Sequence, residues 1–184
     1  MLKQGITLSI LAAIIVAAAC GSSDDSTSPP PVSKIVNLTA SLSPANEVSV
    51  TGNPTGSGTF TGTLDTSTHV FTWNATFTGL TGNATLGHIH GPFTAGSTGS
   101  AGVILNFDPA ISTGGTFTNV TFTGLKTASS GSATGSVTLT NALSLTSTIK
   151  GDSLEKLLLA GAVYANIHTA TNPAGEIRGQ ITKK

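Results

Sequence analysis

Charged side chains are scarce in this sequence: lysine, arginine, aspartate and glutamate make up 9% of its residues and balance to a net charge of zero. A protein that binds nucleic acid needs a basic face to neutralise phosphates, and an acidic tail needs a run of carboxylates. The sequence has neither, so it predicts no nucleic-acid partner. Its 184 residues suit one folded domain and a targeting segment.

Cysteine is almost absent, and because Cys20 is the only one, no disulfide can form within the chain. It follows one lysine and an apolar run at 6–19, which is shorter than the roughly 20 residues of a membrane-spanning helix and is typical of a signal peptide. The residues before it, Ala17-Ala18-Ala19, resemble a bacterial lipobox, although leucine is usual where Ala17 stands. We predict a signal peptide at 1–19 and lipidation of Cys20, with plain secretion as the alternative.

The residues after Cys20 have nothing apolar to bury, since 20–33 is rich in serine, aspartate and proline. Such a composition is typical of a flexible tether. We therefore expect a tether at 20–33, a single folded domain at 34–184, and contact with the membrane through the lipid. The predicted location is the bacterial cell envelope, at the outer membrane, the periplasm or the cell surface.

Long runs of glutamate, lysine and leucine, which favour helices, are also rare, whereas threonine, serine and glycine are abundant. Short alternating runs between glycine-rich turns predict antiparallel strands. Phe71, Trp73, Ala75 and Phe77 fall on one face of such a run and predict its core side. The predicted strands are 35–42, 58–64, 70–77, 84–89, 102–106, 117–122, 135–140, 162–168 and 176–181.

Two segments have sequence patterns that predict a helix and a turn instead of a strand. Residues 152–160 have a polar start at Asp152, leucines at helical spacing and Gly161 as a stop, so they predict one short helix. The stretch Asn172-Pro173-Ala174-Gly175 predicts a tight turn that makes the final hairpin. The whole pattern predicts an all-β, antiparallel sandwich with Greek-key connections.

Three separated stretches together resemble the CHRD domain family, which is named after chordin and occurs in bacterial exported proteins. They are LSPANEV at 42–48, HIHGP at 88–92 and VYANIHTATNPAGEIRGQI at 163–181. The resemblance spans about 35–181 and implies an extracytoplasmic binding or structural module without established catalysis. Two departures are Ser49, where proline often follows the first motif, and a loop after Pro92 richer in glycine and serine than usual.

The stretch 79–109 also resembles, more weakly, the copper-binding segment of Cu/Zn superoxide dismutases. Such a likeness implies an immunoglobulin-like or superoxide-dismutase-like sandwich. However, the segment ends in Leu105-Asn106-Phe107-Asp108-Pro109 without the bridging histidine, and the zinc-binding histidines and disulfide cysteines are also missing. This argues against dismutase activity.

Two of the four histidines, His88 and His90, stand at positions i and i+2 of a predicted strand, so both imidazoles project from one face. His168 lies on a later strand beside Asn166. Three imidazoles are able to bind Cu²⁺ or Zn²⁺ with an open fourth position. The alternatives are a hydrogen-bonded polar network and catalysis, and the sequence does not show whether His168 reaches the pair.

Four polar residues of the family motifs are predicted to be structural: Glu47, Asn166, Glu176 and Arg178. We expect Arg178 to form a partly buried ion pair with Glu176 or Glu47, because arginine–carboxylate pairs are common structural locks. No Gly-x-Ser-x-Gly nucleophile motif or phosphate-binding loop is present.

The sequence therefore predicts a lipid-anchored binding or structural module that is not an enzyme and whose envelope ligand is unknown. A Cu- or Zn-binding or redox protein is the first alternative. Adhesion through threonine-rich sheet faces is the second.

Overall fold

The computed structural model describes residues 34–108, 117–146 and 148–184, all of which belong to the unit Pro31–Lys184. Cys20 and the predicted signal peptide and tether lie outside the described residues. Over the part of the chain that is described, no helix has both the length and the apolar character needed to cross a bilayer.

Ten strands and one α-helix form over the described ranges, and a short 3-10 turn, Pro44–Asn46, follows the first strand. The elements are β1 Ile35–Leu42, β2 Ser57–Asp65, β3 Val70–Thr78, β4 Ala84–His90, β5 Val103–Asn106, β6 Phe117–Thr123, β7 Gly131–Thr138, α1 Gly151–Ala160, β8 Tyr164–Thr169, β9 Ile177–Gln180 and β10 Thr182–Lys183.

The strands form two antiparallel sheets. A six-stranded sheet has the order β10-β1-β2-β3-β7-β6, and a four-stranded sheet has the order β5-β4-β8-β9. The two sheets share one hydrophobic core, in which the ring of Phe107 stacks on Phe60 and Trp73 of the larger sheet. The predicted all-β sandwich is confirmed.

The core follows the alternation seen in the sequence. Phe71, Trp73, Ala75 and Phe77 of β3 are buried, whereas the residues between them are exposed. Gly161 ends α1 with a left-handed backbone (φ 65°), as predicted. The predicted polar start at Asp152 is wrong, because the N-cap is Lys150 and makes no side-chain hydrogen bond.

Most predicted strand ends lie within one or two residues of those in the structure, and the larger differences are at β7 and β10. β7 begins at Gly131 rather than at residue 135, because pairing with β3 holds the small residues at its start. β10 was not predicted, since a two-residue strand has too few positions to show a pattern.

The predicted turn at Asn172-Pro173-Ala174-Gly175 is confirmed. The Gly175 N–H donates to the Asn172 carbonyl oxygen at 3.1 Å.

Candidate metal centre

The candidate centre lies on β4 and β8, which are hydrogen-bonded neighbours in the four-stranded sheet. Their antiparallel register places Asn166 opposite His88 and Tyr164 opposite His90. Because side chains alternate along a strand, the three histidines, Asn166 and Tyr164 share one face while Ile89 and Ile167 enter the core. The pairing of β4 with β8 therefore brings the third histidine to the first two.

The three imidazoles converge. One ligand atom from each of His88, His90 and His168 can be chosen so that all lie within 4.8 Å of one another. The His88 Nδ1 and His168 Nε2 atoms are 2.9 Å apart. The Asn166 Oδ1 atom completes the group, at 3.1 Å from His90 Nε2 and 3.0 Å from His168 Nε2.

This face of the sheet is covered by loops, which is why its polar residues are buried. The histidines are 6–7% exposed and Asn166 is 1% exposed. The loop after β4 contributes the Ala101 carbonyl oxygen over His90, and the Thr51 N–H of the loop before β2 donates to Asn172 Oδ1 at 2.7 Å. The loop after β4 therefore covers the centre at His90, and the loop before β2 is joined to the final hairpin.

Backbone carbonyls hold two of the rings from outside the cluster. Nδ1 of His90 lies 2.8 Å from the Ala101 oxygen, and Nδ1 of His168 lies 2.9 Å from the Pro173 oxygen. A carbonyl oxygen only accepts, so each Nδ1 carries the hydrogen and each neutral ring has an unprotonated Nε2. This outer hydrogen bond is the usual arrangement of metal-binding histidines.

Burial also sets the charge of the rings. Burial, together with the charges of His168 and His90, lowers the pKa of His88 to about 3, and a hydrogen bond to the Asn106 side chain opposes this shift. The pKa of His90 and that of His168 are lowered as well, chiefly by burial. At neutral pH the rings are therefore uncharged, which is the form that binds metal ions.

Arg178 does not form the ion pair expected from the sequence. Its guanidinium lies over the rings of Tyr164 (4.2 Å) and Phe93 (4.8 Å), and Nη1 donates to the Gly99 carbonyl oxygen at 3.0 Å. Tyr164 in turn stacks on His90, with centroids 4.8 Å apart and planes 5° from parallel. Arg178 therefore supports His90 through an aromatic stack.

Glu176 faces hydroxyl and amide donors instead of Arg178. Its carboxylate accepts from the Thr81 N–H (2.7 Å) and hydroxyl (2.5 Å), from the Thr169 hydroxyl (2.7 Å) and from the Asn172 amide (3.2 Å). Burial acts to raise the pKa of Glu176, but these hydrogen bonds outweigh it and the pKa is lowered. The residue ties the final hairpin to the loop after β3.

Glu47 lies beside the centre, where its Oε1 accepts from the Asn166 amide at 3.5 Å. Burial raises its pKa, against the opposing effects of Arg178, Asn166 and the Val48 N–H. Gly175, at φ 129°, leaves room for this contact, because a Cβ there would overlap the Glu47 carboxylate. Glu47 thus fixes the orientation of Asn166, a role that the sequence did not indicate.

The fourth histidine is separate from the cluster. His69 has a side chain that is 52% exposed and pairs with Glu155 of α1 at 2.8 Å. It is therefore a natural control for experiments on the other three.

The sequence did not predict three neighbours of the histidines, which are Asn106, Tyr164 and Glu47. Strand pairing and loop packing bring these residues to the centre.

Fold and site define a small all-β domain with a buried histidine cluster on one sheet. A family model, the CHRD domain, matches residues 38–181, and the chain belongs to that family. Its members are non-catalytic binding and structural domains. No curated protein and no solved structure matches the chain.

The three stretches that resemble the family meet at the candidate centre. Glu47 comes from the first stretch, His88 and His90 from the second, and Asn166 and His168 from the third. Backbone hydrogen bonds between Ser43 and Arg178 join the first stretch to the third at 3.0 and 3.1 Å.

Proposed function

We propose that this chain is a metal-binding module that holds one Zn²⁺ or Cu²⁺ ion with His88, His90 and His168. The observation that carries the proposal is the convergence of the three buried imidazoles within 4.8 Å. Imidazole is a ligand suited to both metals. The carbonyls of Ala101 and Pro173 orient two of the rings in the manner that metal-binding histidines require.

A hydrogen-bonded network without metal is the competing interpretation. It accounts for one contact, in which His88 Nδ1–H donates to His168 Nε2. It leaves His90 Nε2, which is unprotonated, facing the Asn166 oxygen without a hydrogen between them. A cation satisfies both atoms, so the geometry favours metal binding.

The test is metal loading of the full chain in detergent. The protein is stripped with a chelator and titrated separately with Zn²⁺ and Cu²⁺, and bound metal is measured by elemental analysis. We expect about one ion per chain in the wild type and in His69→Ala, and loss of that ion in His88→Ala and His168→Ala. Circular dichroism establishes that the variants are folded. Equal metal content in all four proteins, or none in the wild type, would refute the proposal.

The second part of the proposal concerns location. We infer that Cys20 is lipidated and that 20–33 tethers the domain to a membrane of the bacterial envelope, where it acts without catalysis on an unidentified envelope ligand. The support is the lipobox-like sequence, the polar tether and the family of the domain. Radiolabelled palmitate should label the wild type and not Cys20→Ala. Equal labelling of both would show that the anchor is wrong.

A further inference from the structure

We propose that Asn166 is the fourth ligand, so that it closes a tetrahedral site with one oxygen and three nitrogen donors and favours Zn²⁺ over Cu²⁺. The inference rests on the proposed function and deepens it, because three histidines alone leave the fourth position open. An open site suits a metal that activates water, whereas a closed site holds a structural metal.

The first step of the argument is the direction of the lone pairs. His90 and His168 each donate from Nδ1 to a backbone carbonyl, so both Nε2 atoms are unprotonated. Both point at Asn166 Oδ1, at 3.1 and 3.0 Å. Asn166 Oδ1 therefore faces two ring nitrogens that carry no hydrogen, and a cation between these acceptor atoms would make the arrangement favourable.

The second step is the orientation of the Asn166 amide. Its Nδ2 lies 3.5 Å from Glu47 Oε1, so the NH₂ group faces the carboxylate and the oxygen faces the imidazoles. Turning the amide over would direct its NH₂ to the histidines but would set its oxygen against the carboxylate of Glu47. Gly175 leaves the space that Glu47 occupies.

The third step is the size of the site. Zinc with bonds of about 2.0–2.1 Å to nitrogen and oxygen places its tetrahedral ligands about 3.3 Å apart. The three shortest separations are 2.9 Å (His88 Nδ1 to His168 Nε2), 3.0 Å and 3.1 Å (Asn166 Oδ1 to His168 and His90 Nε2). Shifts of a few tenths of an ångström accommodate these three contacts. The three imidazole ligand atoms spread over up to 4.8 Å, so metal binding also has to draw the rings together by roughly an ångström or more. When the metal takes Nδ1 of His88, the hydrogen of that ring moves to Nε2 and no proton is released.

The fourth step is burial. All four side chains are more than nine-tenths buried. Zinc accepts a closed tetrahedral site readily, whereas Cu²⁺ favours tetragonal coordination. The site therefore suits a structural zinc that fastens β4 to β8.

The test uses the chelator-stripped full chain loaded with Zn²⁺, or with Co²⁺ as a spectroscopic substitute whose visible absorption is strong in four-coordinate tetrahedral sites. Asn166→Ala should weaken zinc binding by at least about tenfold and change the Co²⁺ spectrum, with weaker absorption where water ligands raise the coordination number above four. Asn166→Asp keeps the oxygen and should retain both tight binding and strong absorption. Asn74→Ala, a change at an exposed position of β3, should match the wild type.

The outcomes separate this inference from the proposed function. If the wild type binds one zinc and Asn166→Ala has the same affinity and the same Co²⁺ spectrum, Asn166 is not a ligand although the histidine site stands. If Asn166→Asp loses binding as Asn166→Ala does, the amide acts as a donor and the inference is wrong. If the wild type binds no metal, the proposed function fails, and the inference fails with it.

Discussion

At the scale of single residues, Glu176 is a buried carboxylate held by four hydrogen bonds from Thr81, Thr169 and Asn172. Hydrogen bonds that favour the charged form lower a pKa even where burial opposes them. The folded protein therefore holds this group ionised at pH values where the unfolded chain begins to bind a proton. Its contribution to stability is present above the unfolded pKa of about 4.3 and is lost as pH falls through the lower folded value.

Replacement of Glu176 by glutamine should reduce the free energy of unfolding by about 2 kcal/mol at pH near 7, because an NH₂ group then meets donors. The difference from the wild type should shrink as the pH falls below the unfolded pKa of about 4.3 and through the lower folded pKa, because the native carboxylate then gains a proton. Urea unfolding at several pH values measures it. Glu155→Gln on α1 is the control, with an expected change within about 1 kcal/mol. A difference that does not depend on pH would contradict this account.

The sequence predicted part of the site at this scale. Alternation placed His88 and His90 on one face, and Asn166 beside His168 on another strand. It did not show that the two faces meet, because this depends on the register of β4 with β8, which are far apart in the sequence. The partner of Arg178 was mispredicted because hydroxyls and an amide satisfy Glu176, leaving the guanidinium to stack on Tyr164.

At the scale of elements, β3 and β7 pack so closely that the ring of Trp73 lies directly on Gly135. The two residues are partners in the ladder, and a Cβ at position 135 would overlap the indole. Position 135 therefore requires glycine because the indole ring of Trp73 leaves no space for a Cβ. The backbone conformation is not the reason, since φ is ordinary there.

Gly135→Ala should destabilise the protein by about 1–3 kcal/mol, since the indole has to move within a packed core. Gly102→Ala serves as the control, because a Cβ there meets nothing within 4 Å. Thermal unfolding of both variants against the wild type measures the effect. Equal stability of the two variants would show that Trp73 does not occupy the space above Gly135.

Strands with clear alternation were predicted well and those without it were not. β1 was predicted with the bounds that the structure gives, and β3 differs by one residue. The start of β7 was missed because glycine and serine carry no hydrophobic signal, so its pairing with β3 decides its length. The end of α1 was predicted from Gly161, whereas Lys150 at its start gives no capping signal.

At the scale of the whole molecule, the two sheets differ in what covers their outer faces. The six-stranded sheet exposes uncharged threonine and asparagine side chains such as Thr61, Thr72 and Asn74. The outer face of the four-stranded sheet is covered by loops and buries the histidine cluster. The loop cover makes the polar face of that sheet a dry site, which explains the lowered pKa of its histidines.

The most direct test of the central claim is X-ray absorption spectroscopy at the zinc edge on the zinc-loaded full chain. We predict four nitrogen or oxygen ligands at about 2.0–2.1 Å, with the outer-shell scattering of three imidazoles, and no such spectrum from His168→Ala, which does not retain the zinc. Zinc surrounded by six oxygen ligands, or a spectrum that His168→Ala leaves unchanged, would contradict the claim that these three histidines form a metal site.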